Sequence, residues 1–156
     1  QIEAHHFNHL MDLSRGFFED ENLTKATGST IDNCQKGMEF VLSYAIAAQS
    51  VYPRAWICYE NSTNRPVGFR LAHPVYKDPK KAPFSVPEPT LNNQELTLFT
   101  KLDKTFNKFW EVYPEEEIVY KGEVIYINRD YRGSGIYKTI MNYDVYFPDV
   151  AKVGAA

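Results

Sequence analysis

Arg132, Gly133, Ser134 and Gly135 lie between an apolar run that ends at Ile127 and a segment able to start a helix. A strand feeding a glycine-rich turn at a helix N-terminus leaves backbone N–H groups pointing outward, where they can hold a phosphate. Gly133 and Gly135 have no Cβ, so the chain can bend sharply and approach an anion closely, and Arg132 adds a fixed positive charge. A nucleotide-binding P-loop would require Lys followed by Ser or Thr after the turn, but Ile136, Tyr137 and Lys138 follow instead. A dinucleotide fingerprint fails as well, because Lys138 occupies its last glycine position. What remains is either an ordinary surface turn or a site for another phosphorylated ligand.

Such a turn needs a strand behind it and a helix ahead. Residues 119–127 read as the strand, and their near-continuous apolar run predicts burial on both faces. The helix after the turn should stop or kink at Pro148. Upstream, Phe7, Leu10, Met11, Phe17 and Phe18 fit one face of a helix over residues 5–18, broken by Asp20-Glu21-Asn22. A second helix is expected over residues 35–50, then a hairpin of strands 55–60 and 67–72 around a turn at 61–66. Five prolines predict loop over residues 73–93. Helix resumes near Gln94, with Phe99, Leu102, Phe106, Phe109 and Trp110 at spacings that predict core packing.

The chain has 156 residues, 44% hydrophobic and 24% charged, which suits one soluble domain over 1–156. A formal charge of −3 offers no basic field for nucleic acid. No apolar run reaches the ~18 residues of a membrane span, so a cytoplasmic location without membrane association is expected. Cys34 and Cys58 make no disulfide framework, and neither is marked as an activated nucleophile. His5, His6 and His9 have no carboxylate or thiol partner at metal-site spacing, so no metal is expected.

The turn resembles the acetyl-CoA pyrophosphate loop of the GNAT N-acetyltransferase superfamily, [QR]-x-x-G-x-[GA]. Its counterpart runs from Arg132 through Gly133, Ser134, Gly135 and Ile136 to Tyr137, with Tyr137 where the family has Gly or Ala. A second segment, Phe17-Phe18-Glu19-Asp20-Glu21-Asn22-Leu23, resembles the F-F-x-D-E-P-L signature of the invertebrate arylalkylamine branch, with Asn22 in place of Pro. The resemblance implies an α/β (α+β) acyl-CoA N-acyltransferase fold, a mixed central sheet flanked by helices, lacking its C-terminal strands. A partial domain is therefore expected, either a fragment or one completed by another copy, as monomer or homodimer.

By the same resemblance, acetyl-CoA is the co-substrate and a small primary amine the acceptor. Glu21 takes the role of general base, working directly or through water. Ile125, Tyr126 and Ile127 hold the pantetheine arm through their main chain, and Arg132 to Lys138 hold the phosphates. Tyr126 stands where relatives carry a serine proposed as a proton relay, so it either protonates the departing thiolate or packs. Glu19 and Asp20 read as surface charge, and Arg129, Arg132 and Lys138 as a cationic spot suited to coenzyme A. The rival reading is a non-catalytic acetyl-CoA-binding or interaction protein that retains the fold.

Overall fold

Leu10, Leu13, Ser14 and Phe18 recur at three- and four-residue steps and become the buried face of helix α1 (Phe7–Asp20). The computed structural model describes residues 1–145 of the chain. Ser14 is the polar member of this face, and its hydroxyl donates to the Leu10 carbonyl at 2.7 Å, which meets the cost of burying it. Helix α1 ends at Glu21, whose backbone is extended (φ −75°, ψ 135°). A six-residue helix, α2 (Asn22–Thr27), begins at once, where Asp20-Glu21-Asn22 predicts only a break. Six residues are too few to show a hydrophobic period, so capping is the signal that marks it. Helix α3 (Gln35–Ala47) buries Met38, Leu42 and Ala45 against the same core.

Strands β1 (Trp56–Glu60), β2 (Arg65–Tyr76) and β3 (Ile118–Ile127) form an antiparallel sheet in that order. Strand β2 runs four residues past the expected end, through Pro74. β1 pairs only with residues Arg65 to Arg70 of β2, so beyond that point the β1 side of β2 is open. The missing Pro74 N–H therefore breaks no ladder, and the Pro74 carbonyl accepts from the Tyr44 hydroxyl at 3.4 Å. The expected loop shrinks to residues 77–92, with a 3₁₀ turn at Pro79–Lys81.

The expectation that β3 is buried on both faces does not hold. Only Tyr126 of this strand is buried, because β3 is the edge of the described sheet.

Helix α4 (Asn93–Val112) starts with a capping box between Asn92 and Glu95. Glu95 is fully buried, and its other oxygen accepts from the Gly37 amide at 2.8 Å, tying α4 to the start of α3. Leu98 enters the core, but Phe99, Phe106 and Phe109 are only half-buried, so this aromatic stripe is not the core face its spacing predicted. Helix α5 (Ile136–Val145) follows the glycine turn and buries Ile140. The helix stop expected at Pro148 lies outside the described residues. A single buried cluster links α1, α3, β2, β3 and α4. No helix among the described residues is long and apolar enough to cross a membrane.

Candidate active site

The end of α1, the end of β3 and the start of α5 enclose a cleft of about 660 Å³. Glu21 and Phe17 line it from α1, and Ile125, Tyr126 and Ile127 from β3. Arg132, Gly133, Gly135, Ile136, Tyr137 and Lys138 complete it from the turn and helix. Residues far apart in sequence thus meet at one place, with one exception. Ser134 is not on the cleft wall; its hydroxyl donates to the Tyr131 carbonyl at 2.6 Å and closes the turn.

The turn has the conformation its glycines permit. Gly133 and Gly135 have φ of +79° and +87°, in the left-handed region that side chains disfavour. A Cβ at either position would meet nothing within 4 Å, so both face open space. Thr139 N–H bonds the Gly135 carbonyl at 3.0 Å, so Gly135 begins the helical ladder. The amides of Ile136, Tyr137 and Lys138 then have no carbonyl one turn back, which is the arrangement that binds anions. Tyr137 is 57% exposed and sits on the wall of the cleft without filling it.

Strand β3 contributes its free edge. The Asn128 amide donates to the Val67 carbonyl of β2 at 2.9 Å. Main-chain direction alternates along an antiparallel ladder, so Tyr126 also pairs with β2 while Ile125 and Ile127 turn their N–H and C=O groups to the open side. Arg132 Nε donates to the Ile127 carbonyl at 2.9 Å. The two outward amides remain available to an extended ligand lying along the edge, so the residues present fit a pantetheine arm and its diphosphate.

Asp20 corrects the reading of it as surface charge. Its side chain is 14% exposed, and its two oxygens are taken by Arg129 and Arg132. Hydrogen bonding from Arg129 in the first place, with a further contribution from Arg132, holds its carboxyl below the usual range. This joint fastens the end of α1 to the turn. It also neutralises most of the expected cationic spot and leaves Lys138 as the cation on the cleft wall with no acidic partner among the described residues.

Tyr126 lies with its hydroxyl over α1. A Cβ placed on Gly16 would be 2.1 Å from that oxygen. Its ring lies 6.1 Å from Phe69, and the Arg132 guanidinium is 5.8 Å from its centre. Burial, followed by the nearby Asp20 charge, pushes the phenol pKa up, so the group stays protonated. Glu21 is half-buried and caps α2, with Oε2 accepting from the Thr24 amide at 2.9 Å. That bond fixes the direction of the carboxylate.

A second cavity of about 860 Å³ adjoins the first. Phe17, Glu21 and Ile125 line both, so these three residues mark the junction. Phe18, Met38, Phe99, Phe106 and Phe109 give the second cavity apolar walls. Two charged groups that the apolar pattern of the strand does not predict, Lys121 and Glu123, line it from β3. Glu123 Oε2 is 2.6 Å from Lys121 Nζ and 3.3 Å from His73 Nε2. Burial pushes the Glu123 carboxyl up, but the His73 and Lys121 pairings outweigh it and hold the group below its usual value. Two charged residues, Lys121 and Glu123, inside a mostly apolar strand were the available signal.

The fold is that of N-acetyltransferases. The chain superposes on arylalkylamine N-acetyltransferase 2 from Aedes aegypti with a TM-score of 0.67 and 14% identity, over 91% of this chain and 65% of that one. A mosquito arylalkylamine N-acetyltransferase like 5b gives 0.66 and 12% identity, over 98% of this chain and 69% of that one. The chain therefore spans about two-thirds of the length of these structures. No protein-family model and no curated protein matches the sequence.

Proposed function

We propose that this chain, over 1–156, is an N-acetyltransferase domain that acts with acetyl-CoA on a small primary amine of arylalkyl type. The observation that supports this reading most is the position of Glu21, which borders both cavities where they adjoin. One cavity has an anion-binding turn and a free strand edge, the other apolar aromatic walls. A two-substrate transfer needs such an arrangement, with a base where the two compartments meet.

Acetyl-CoA supplies the acetyl group as an activated thioester. The outward amides of Ile125 and Ile127 hold the pantetheine arm as an added strand and offer N–H donors to developing negative charge. The first-turn amides of α5 and Lys138 hold the diphosphate. An alkylamine has a pKa near that of a lysine side chain, about 10.4, so it arrives protonated and cannot attack. Glu21 takes that proton directly or through a water molecule, help worth about 10²–10⁴-fold. Tyr126 keeps the proton a donor needs, but its hydroxyl rests against α1, and we assign it mainly to packing and to shaping the cleft.

Two measurements test this. Saturating acetyl-CoA should raise the melting temperature, as any ligand of the native state does. Free thiol should then appear when arylalkylamines are added. A melting temperature indifferent to acetyl-CoA would remove the reading altogether. Binding without thiol release would identify an acetyl-CoA-binding protein instead of an enzyme.

A further inference from the structure

At the joint between α1 and α2 one side chain serves two carbonyls. Glu21 has extended backbone, so α1 stops there, with the Glu21 amide on the Phe17 carbonyl at 2.9 Å. The Phe18 carbonyl is among the last of α1, where no further turn supplies a donor. Thr24 supplies it. Its hydroxyl lies 2.7 Å from the Phe18 carbonyl and 2.7 Å from the Glu21 carbonyl, and shares its single proton between them. Its amide donates to Glu21 Oε2 at 2.9 Å. The residue is 3% exposed, so these bonds face no competition from bulk water.

The pattern inverts an ordinary capping box. There the third residue of the helix carries an acceptor that reaches back to the N-cap amide. Here that amide is already committed to Phe17, and what the joint leaves over is carbonyl oxygen, so the side chain that fits is a donor. Helix α2 is also fastened at its far end. The Thr27 carbonyl accepts from Gln94 Nε2 at 2.6 Å, which ties α2 to the start of α4. Thr24 therefore works from a fixed bracket, and it grips Glu21 through both the main chain and the carboxylate.

We infer that Thr24 is a positioning residue for the base: its hydroxyl holds Glu21 in the extended conformation that lets the Thr24 amide fix the carboxylate where the two cavities adjoin. The inference rests on the acetyltransferase reading above and deepens it. Without the hydroxyl the Phe18 carbonyl loses its donor, the turn at Glu21 relaxes, and the carboxylate moves off line. A displacement of about 1 Å near reacting groups can cost about 10²-fold in rate. The loss is bounded by that of removing the base itself.

Thiol release from acetyl-CoA with 2-phenylethylamine is measured for Thr24→Ala and Thr24→Ser, each alone and combined with Glu21→Gln. Thr24→Ala should lower kcat at least fivefold, with KM for acetyl-CoA within twofold of the wild-type value. Thr24→Ser keeps the hydroxyl and should stay within twofold of the wild-type kcat. In the Glu21→Gln background Thr24→Ala should change kcat by less than twofold, because a residue that acts through the base has nothing left to act on. Wild-type kcat in folded Thr24→Ala overturns the inference. So does an equal fold-loss in both backgrounds, the result of a merely structural role. A loss in Thr24→Ser as large as that in Thr24→Ala overturns it too, since the hydroxyl would then not be the group that matters. Should Thr24→Ala fail to fold, Thr24→Cys puts a weaker donor of similar size in its place, and the same outcomes decide. Each of these results leaves acetyl transfer by the wild-type protein intact. No thiol release from the wild-type protein with any arylalkylamine overturns the inference and the acetyltransferase reading together.

Discussion

Gly16→Ala on α1 decides where the Tyr126 hydroxyl points. Two effects of opposite sign compete. Alanine is about 1 kcal/mol better than glycine inside a helix, so the helix alone predicts stabilisation. Against that, the new Cβ would be 2.1 Å from Tyr126 Oη and 2.7 Å from Cζ, far inside ordinary contact. Tyr126 is 8% exposed and packed near Phe69, so it has little room to retreat. Overpacking of this kind costs about 1–3 kcal/mol. At the upper end of that range the clash outweighs the helix gain by about 2 kcal/mol. For a chain of this length each kcal/mol moves the melting temperature by about 2–4 °C. A fall of about 4–8 °C is therefore expected by circular dichroism. Adding Tyr126→Phe removes the nearer atom but leaves Cζ at 2.7 Å, so it should recover part of the loss. A rise in melting temperature for Gly16→Ala would refute the reasoning, for it would mean that the tyrosine does not rest on α1 and is free to turn into the cleft.

Gly135→Ala should weaken acetyl-CoA binding at least tenfold by calorimetry, because φ of +87° strains any side chain by about 1–3 kcal/mol at a residue that lines the cleft. The added Cβ would meet no atom of the protein within 4 Å, so circular dichroism in the folded baseline should be unchanged. Asp20 makes the joint between α1 and the turn sensitive to acid. Its carboxyl is held below the ordinary value, so the stabilisation is fully present above about pH 4 and is lost as pH falls through the lower folded value. The difference in melting temperature between wild type and Asp20→Asn should thus stay constant from pH 7 to pH 5 and shrink below pH 4; a constant difference down to pH 3 would contradict the ion pairs. Glu95→Gln replaces the carboxylate that caps α4 and accepts from Gly37, and should lower stability by about 1–3 kcal/mol in urea melts.

The parts of the molecule that could be read from sequence are those where one local rule dominates. The apolar period of α1 and α3, the hairpin of β1 and β2, and the glycines of the turn each have a single physical cause, and the structure has all of them. Glycines before a helix can adopt positive φ whatever lies around them, so the cradle was legible without the fold. Other features depend on neighbours that a linear reading does not supply. Pro74 seemed to end β2, but the shortness of β1 leaves that side open and the strand continues. The aromatic stripe of α4 has core spacing, yet Phe106 and Phe109 line a cavity because no described element packs closely against that half of the helix. Asp20 looked like solvated charge until Arg129 and Arg132 were brought to it from more than a hundred residues away. The charge of Glu123 is visible in the sequence, but its pairing with His73 depends on the register of β3 against β2 and is not.

Glu21→Gln tests the central claim most directly. The amide keeps an oxygen to accept from Thr24 N–H, so the cap on α2 should persist and the melting temperature should barely move. Loss of the base should reduce kcat in the thiol-release assay by at least tenfold, and by about 10²–10⁴-fold if proton removal limits turnover, with the thermal shift on acetyl-CoA retained. A variant that folds, binds acetyl-CoA and turns over amine at the wild-type rate would contradict the account.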